Sequence, residues 1–199
     1  MSIMEWLKTF HITHLPVDMP IHVAHFTNVT NAGFLRQQLL DGNTNFEYAF
    51  LDASSILSTT QLLAAVFRAV KDLKSNRIKS RNVHSEIVLA LSPNNNIGES
   101  FRRFGLTEKT KDLLVVKVAT SKDTTADHVV KHLSQSVEGT WAPFTDEALS
   151  QSADLAKIGK IYKLEPSSKG PPRGQEHVDY AREELEMIIL GLMALRGAS

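Results

Sequence analysis

The 199-residue chain contains no cysteine. That excludes disulfide staples, thiolate nucleophiles and any zinc centre built on sulfur, and it suits a reducing compartment. Net charge is absent as well, since 22 Lys and Arg balance 22 Asp and Glu. Bulk charge therefore advertises neither nucleic acid nor an anionic membrane, and any such affinity must sit in a local patch. Long apolar runs are lacking: the longest, Met187 to Leu195, has nine residues, too few to span a bilayer. The opening stretch MSIMEWLKTFHITH has no basic start leading into an apolar core and does not read as a secretory leader. A soluble protein of the cytoplasm and nucleus, with no membrane partner, is the expectation.

What remains is an average globular composition, 42% hydrophobic and 22% charged, enough for one domain with a real core. FHITHLP (10–16) and PIHVAHFTNV (20–29) alternate and predict two strands joined through Pro16–Pro20. TNAGFLRQQLLDG (30–42) predicts a helix capped by Thr30 or Asn31 and stopped at Gly42. FEYAFLDA (46–53) reads as a strand. SSILSTTQLLAAVFRAVKDLKSN (54–76) reads as a long helix with Leu62, Val66, Ala69, Val70 and Leu73 on its core face. HSEIVLALS (84–92) is near-continuously apolar, the pattern of a strand buried on both sides. A short helix (97–105), the strand DLLVVKVA (112–119), a helix (125–137), one or two short helices (146–159) and the short strand KIYKL (160–164) follow. EPSSKGPPRGQE (165–176) is a linker rich in Pro, Gly and Ser. It delivers a final helix over 177–195. The expected architecture is a single α/β domain: a mixed sheet covered by helices in an α/β core over 1–164, with a C-terminal segment over 177–199 that packs on the core and on a partner.

SPNNNIGESFRRFGL (92–106) poses a choice between a phosphate loop and helix punctuation. A phosphate loop calls for more glycine and a terminal lysine. Asn96 as N-cap, Glu99 at N3, Gly105 in a left-handed position and Leu106 as the apolar contact explain all but Asn94, Asn95, Arg102 and Arg103. The helix N-terminus still suits a backbone phosphate of RNA. Just upstream, Arg68, Lys71, Lys74, Arg77, Lys79 and Arg81 stand against the single acid Asp72. Such a run is either a solvated helix face or an RNA-backbone footprint whose affinity falls with salt. Interleaved aromatics are scarce, which argues against sequence-specific single-strand reading.

Catalytic signatures are missing. His128 and His132 have the i, i+4 spacing of metal ligands, but the run HVVKH lacks the zincin glutamate. The pairs His11/His14 and His22/His25 have no carboxylate nearby, and polar positions of an outer strand explain them equally well. Ser54, Ser55 and Ser92 lack a nucleophile elbow. The expectation is a non-enzyme with no metal and no cofactor. One rival is a nucleotide-binding or hydrolytic enzyme using the 93–98 loop, and another is a scaffold without RNA contact. The last helix is acidic in its first half and apolar on every face over MIILGLMAL (187–195). A helix of that kind must be covered all round, by its own domain or in part by a second protein.

The run KSNRIKSRNVHSEIVLALSPNNNIGESFRRFGL, with VEGTWAPF and KIYKL downstream, resembles the small kinase-binding subunit family of the KEOPS (EKC) complex, in animals the PRPK-binding proteins. The resemblance extends from about Val29 to Leu164 and to the final helix in position and character. It implies a non-catalytic α/β protein that docks through its C-terminal region on the N-lobe of an atypical kinase/ATPase and stimulates it. It further implies help in recruiting tRNA, through the CCA 3′ end, for threonylcarbamoyladenosine synthesis; in fungi a telomere-related role attaches to the complex. Carried onto this chain, Lys79 and Arg81 of KSR, with Asn94, Asn95 and Asn96, become expected RNA contacts, and Arg68, Lys71, Arg102 and Arg103 join them as basic surface. Leu185, Ile188, Ile189, Leu192 and Leu195 become the expected kinase contact.

Overall fold

Two strands buried along almost their whole length, β2 (Ile21–Thr27) and β4 (Leu113–Val118), form the antiparallel centre on which the rest is built. The computed structural model describes residues 6–164 and 175–196. Among these the sheet runs β1 (Lys8–Phe10), β2, β4, β3 (Ala49–Asp52), and β5 (Thr140–Ala142) pairs with the second half of β2. Every pairing is antiparallel, with Val23 opposite Val116 and Leu51 opposite Leu114. The period of two in a strand then sorts side chains by face. Ile21, Val23, Leu51, Leu114 and Val116 meet α2 (Thr59–Lys74), α3 (Val83–Leu91), α7 (Leu155–Tyr162) and α8 (Gln175–Leu195) in one core cluster. Ala24, Phe26, Phe50, Leu113 and Val115 meet α1 (Ala32–Leu40) and α5 (Ala126–Ser136) in the other. The α/β expectation holds, as a sheet between two helical layers, but the described sheet is antiparallel at every pairing rather than mixed.

Local signals placed most of the helices. Ser58 Oγ accepts from the Gln61 amide at 3.1 Å to start α2, and Leu62, Val66, Ala69 and Val70 are buried along its stripe. Lys71 and Lys74 fall in its last turn, where cations suit the helix dipole. The 146–159 region resolves into α6 (Asp146–Ser152) and α7. Asn31 does not cap α1. Its side chain instead binds Ser136 O at 2.8 Å and the Glu138 amide at 3.0 Å, fastening α1 to the end of α5.

Four expectations about individual elements are corrected. Residues 84–92 are not a strand: Val83–Leu91 is α3, a helix buried on nearly every side, whose Asn82 cap accepts from the Ser85 amide at 2.8 Å. A continuous apolar run fits either element, because periodicity disappears when every face is covered. KIYKL is not a strand either. It contains the end of α7, which stops at Lys163 in the left-handed conformation (φ 54°). The first strand lies at Lys8–Phe10 rather than over 10–16, which places Thr9 opposite His22. Finally, Gly105 is extended (φ −72°), not left-handed.

Gly105 is required for space rather than for backbone angle. A β-carbon there would stand 2.6 Å from the Phe101 carbonyl oxygen. The close approach lets α4 (Ile97–Phe104) end against the outer edge of β3, where Gly105 bridges Leu51 and the Leu106 amide donates to Phe50 O at 3.1 Å. Gly105→Ala is expected to destabilise the protein by about 1–3 kcal/mol, read as a lower urea midpoint with an unchanged m-value. An unshifted midpoint would contradict this account of the edge.

Candidate functional site

α8 has two unlike faces. On the inner side Ile189 and Met193 are buried in the core, and Leu185 and Leu192 are half-buried against it. Arg182 reaches the Leu57 carbonyl. At the C-terminal end, where helix carbonyls lack partners, Arg68 donates to Met193 O at 2.5 Å and to Arg196 O at 2.8 Å. Arg196 is itself buried, donating to the Leu89 carbonyl and lying 4.0 Å from the Glu86 carboxylate. On the outer side Met187, Ile188 and Leu195 are 69%, 45% and 66% exposed, with exposed Gly191 and Ala194 between them. The spacing 187, 188, 191, 194, 195 is one continuous helical stripe.

The helix that reads as apolar on all sides is therefore half covered by its own domain. Of the expected contact residues, Ile188 and Leu195 lie on the open stripe and Leu185 and Leu192 at its margin. Ile189 is turned inward, fully buried, because the core beneath α8 needs it.

The basic loop is built on a buried acid. Glu86, only 1% exposed, accepts through Oε2 from the amides of Lys79 and Ser80, both at 2.9 Å, and from Ser80 Oγ at 2.6 Å. This fixes the KSR segment while Lys79 and Arg81 point to solvent. Lys79 Nζ then donates to Asn95 Oδ1 at 3.3 Å, so the basic loop and the asparagine turn meet. The turn is largely self-satisfied. Asn96 Oδ1 caps α4 from the Glu99 amide at 3.0 Å, as its spacing predicts. Glu99 does not return to Asn96; it accepts from Asn94 Nδ2 at 2.8 Å, while Asn94 Oδ1 takes the Asn96 amide at 2.9 Å.

The expected basic residues separate into two groups. Arg81 and Arg102 are exposed and line, with Arg36, a cleft of about 510 Å³ whose buried walls include Phe46, Tyr48, Phe50, His84, Val88 and Leu106. Arg68 and Arg103 face inward instead. Arg68 holds the end of α8 and lies 3.9 Å from Asp72, and Arg103 pairs with Glu99 and donates to Ile161 O at 3.2 Å. Arg77 also engages Asp72, at 3.2 Å. Lys71 stays exposed in the last turn of α2.

Sequence reasoning missed the cleft's interior and the Glu86–Arg196 pair. The interior side chains are far apart in the chain, and a carboxylate inside an apolar helix was the one trace of the pair. His84 accepts from the Val118 amide through Nε2 at 3.0 Å, so its proton sits on Nδ1, a buried donor without a partner among the described residues. Burial, helped by the positive Lys117, pushes its pKa down to about 3. Lys117 in turn donates to Glu47 O at 2.6 Å and lies 4.8 Å over the Tyr48 ring. Tyr48 binds His132 Nδ1 at 2.9 Å, which gives that histidine a structural partner. Among the described residues no three His, Asp or Glu gather as metal ligands.

The profile of the kinase binding protein CGI-121 family matches residues 26–197. The chain belongs to that family. It is 53% identical over 193 residues to the EKC/KEOPS complex subunit cgi121 of Aspergillus terreus, covering 97% of this chain and 98% of that one. It is 44% identical to the EKC/KEOPS complex subunit CGI121 of Coccidioides immitis, covering 98% and 100%, and 35% identical to the Schizosaccharomyces pombe subunit, covering 92% and 96%.

His84 carries a pH signature. The unfolded imidazole protonates near 6.5 while the folded one stays neutral to about 3, so the unfolded state binds the extra proton between those values and stability falls as pH drops. Between pH 7 and 5 this imidazole removes about 2 kcal/mol. His84→Gln is expected to lose less stability than the native chain over that interval in urea titrations. Equal losses would contradict the buried neutral histidine.

Proposed function

We propose that the chain is a non-catalytic subunit of the KEOPS/EKC complex that binds and stimulates the complex's atypical kinase/ATPase. The observation that carries the reading is the open stripe Met187, Ile188, Gly191, Ala194 and Leu195 on a helix whose opposite side is locked into the core. Three large apolar side chains left in water on one rigid helix face suit a helix-on-protein interface. The names of the relatives, kinase binding protein and EKC/KEOPS complex subunit, support a kinase as the occupant. No cofactor of its own is needed for this role, and the proposed place of work is the cytoplasm and nucleus. No helix of the described residues is long and apolar enough to cross a membrane.

The second part of the proposal is tRNA recruitment for threonylcarbamoyladenosine synthesis. Arg81 and Arg102 are solvent-facing cations lining a cleft of about 510 Å³ with aromatic and aliphatic walls, and Lys79 is exposed two residues before Arg81. Cations at an opening suit phosphates, and such walls suit an unstacked base. The CCA 3′ end supplies both. The competing reading, a scaffold without RNA contact, is favoured by Arg68, Arg77 and Arg103, whose guanidinium groups serve internal bonds.

Two variants separate the parts. Ile188→Glu with Leu195→Glu is expected to abolish pull-down of the kinase subunit while the melting temperature stays within a few degrees of native. Intact pull-down would remove the outer stripe from the interface. Lys79→Glu with Arg81→Glu is expected to weaken tRNA binding about tenfold at moderate salt, with a log K–log salt slope shallower by up to about 2, and to leave kinase binding unchanged. Unaltered tRNA affinity would favour the scaffold.

A further inference from the structure

Glu86 divides its two oxygens between distant parts of the chain. Oε2 holds the loop at Lys79 and Ser80, whereas Oε1 faces the guanidinium of Arg196, one residue beyond α8. Both side chains are almost wholly buried, 1% and 2% exposed. Arg196 is tied in turn to the last turn of α8: its carbonyl and those of Met193 and Ala194 all accept from Arg68. The loop over Glu86 is the most solvent-facing part of this chain of contacts, with Lys79 and Arg81 exposed.

We infer that Glu86 and Arg196 are positioning residues that join the 79–81 loop to the end of α8, so that a partner seated on the outer face of α8 orders the loop. The inference rests on the partner-docking reading above. An ionised carboxylate strengthens the loop's three hydrogen bonds through its charge. Its burial is tolerable only while the guanidinium compensates it. When the last turn of α8 frays, Arg196 withdraws, and the uncompensated carboxylate is most easily relieved by lifting the loop and admitting water. A protein covering Leu195 and Ile188 suppresses that fraying. The consequence is communication between two faces that share no surface residue.

The test is amide hydrogen exchange of the full chain, read at Lys79 and Ser80 against Leu114 and Val116 in the central strand. Arg196→Met is expected to accelerate the loop amides at least tenfold while the strand amides keep their native rates, and Arg196→Lys is expected to restore most of the protection. If Arg196→Met loosens the whole fold, the double variant Glu86→Gln/Arg196→Met removes both charges together and keeps the core paired. Its loop amides are then expected to exchange faster than native, and native-like loop protection in it would overturn the inference. Added kinase subunit is expected to slow the loop amides of the native chain at least threefold and to leave those of the double variant unchanged; equal slowing in both would also overturn it. A native chain whose loop responds in this way but shows no affinity for a tRNA transcript would refute the tRNA reading and leave the linkage standing.

Discussion

Glu86 lies in the first turn of a helix from which solvent is almost excluded, and three donors from the preceding loop close on one of its oxygens. The position suits a carboxylate, since the amino end of a helix is its positive pole. The other oxygen meets Arg196, whose neighbours Met193 and Ala194 give their carbonyls to Arg68. Four separate pieces of chain, α2, the 79–81 loop, α3 and the end of α8, are fixed relative to one another by this one set of polar contacts. A buried ion pair adds little net stability over well-packed apolar side chains, yet removing one member is costly. Its effect is therefore to specify geometry. The apolar contacts of α3 would accept a rotated helix; the carboxylate accepts one register.

That register decides what α8 offers outward. With Ile189 and Met193 committed to the core, the helix has no freedom to roll, and Met187, Ile188 and Leu195 are held in solvent. The same carboxylate sets the exposed conformation of Lys79 and Arg81, and the Asn96 cap of α4 holds Asn95 where Lys79 can reach it. Cations that sit close in sequence are thereby divided. Arg81 and Arg102 open on the cleft, while Arg68, Arg77 and Arg103 face partners within the chain. A local charge run is a poor guide to a binding surface when its members alternate between inner and outer sides of a helix.

The sequence was most legible where one face of an element is wet. The α2 stripe and the Asn96 cap stand close to where their patterns put them, and the family resemblance carried the class of protein. It was least legible in the interior. α3 lost its periodicity because every side of it is covered, and only the Asn82 cap and the polar Glu86 distinguish it from a buried strand. KIYKL reads as a short strand, but its Ile161 and Tyr162 are buried in the last turn of α7, and Tyr162 donates to Leu91 O at 2.6 Å. Gly105 suggested a left-handed stop, since that is the usual reason for a glycine after a helix; here the reason is the Phe101 carbonyl. The C-terminal helix was expected to meet both core and partner, yet sequence alone did not divide its residues between the two. Ile189 was grouped with the outward set because a uniformly apolar run has no phase.

The lack of any cysteine makes the division of α8 directly measurable, because a single introduced thiol reports alone. Leu195→Cys and Ile189→Cys, each made in the otherwise native chain, are treated with a maleimide with and without the kinase subunit. The account predicts rapid labelling of Leu195→Cys that the kinase suppresses, and negligible labelling of Ile189→Cys in either state. Labelling of Leu195→Cys at the same rate with and without bound kinase would contradict the claim that α8 holds the fold with one face and its partner with the other.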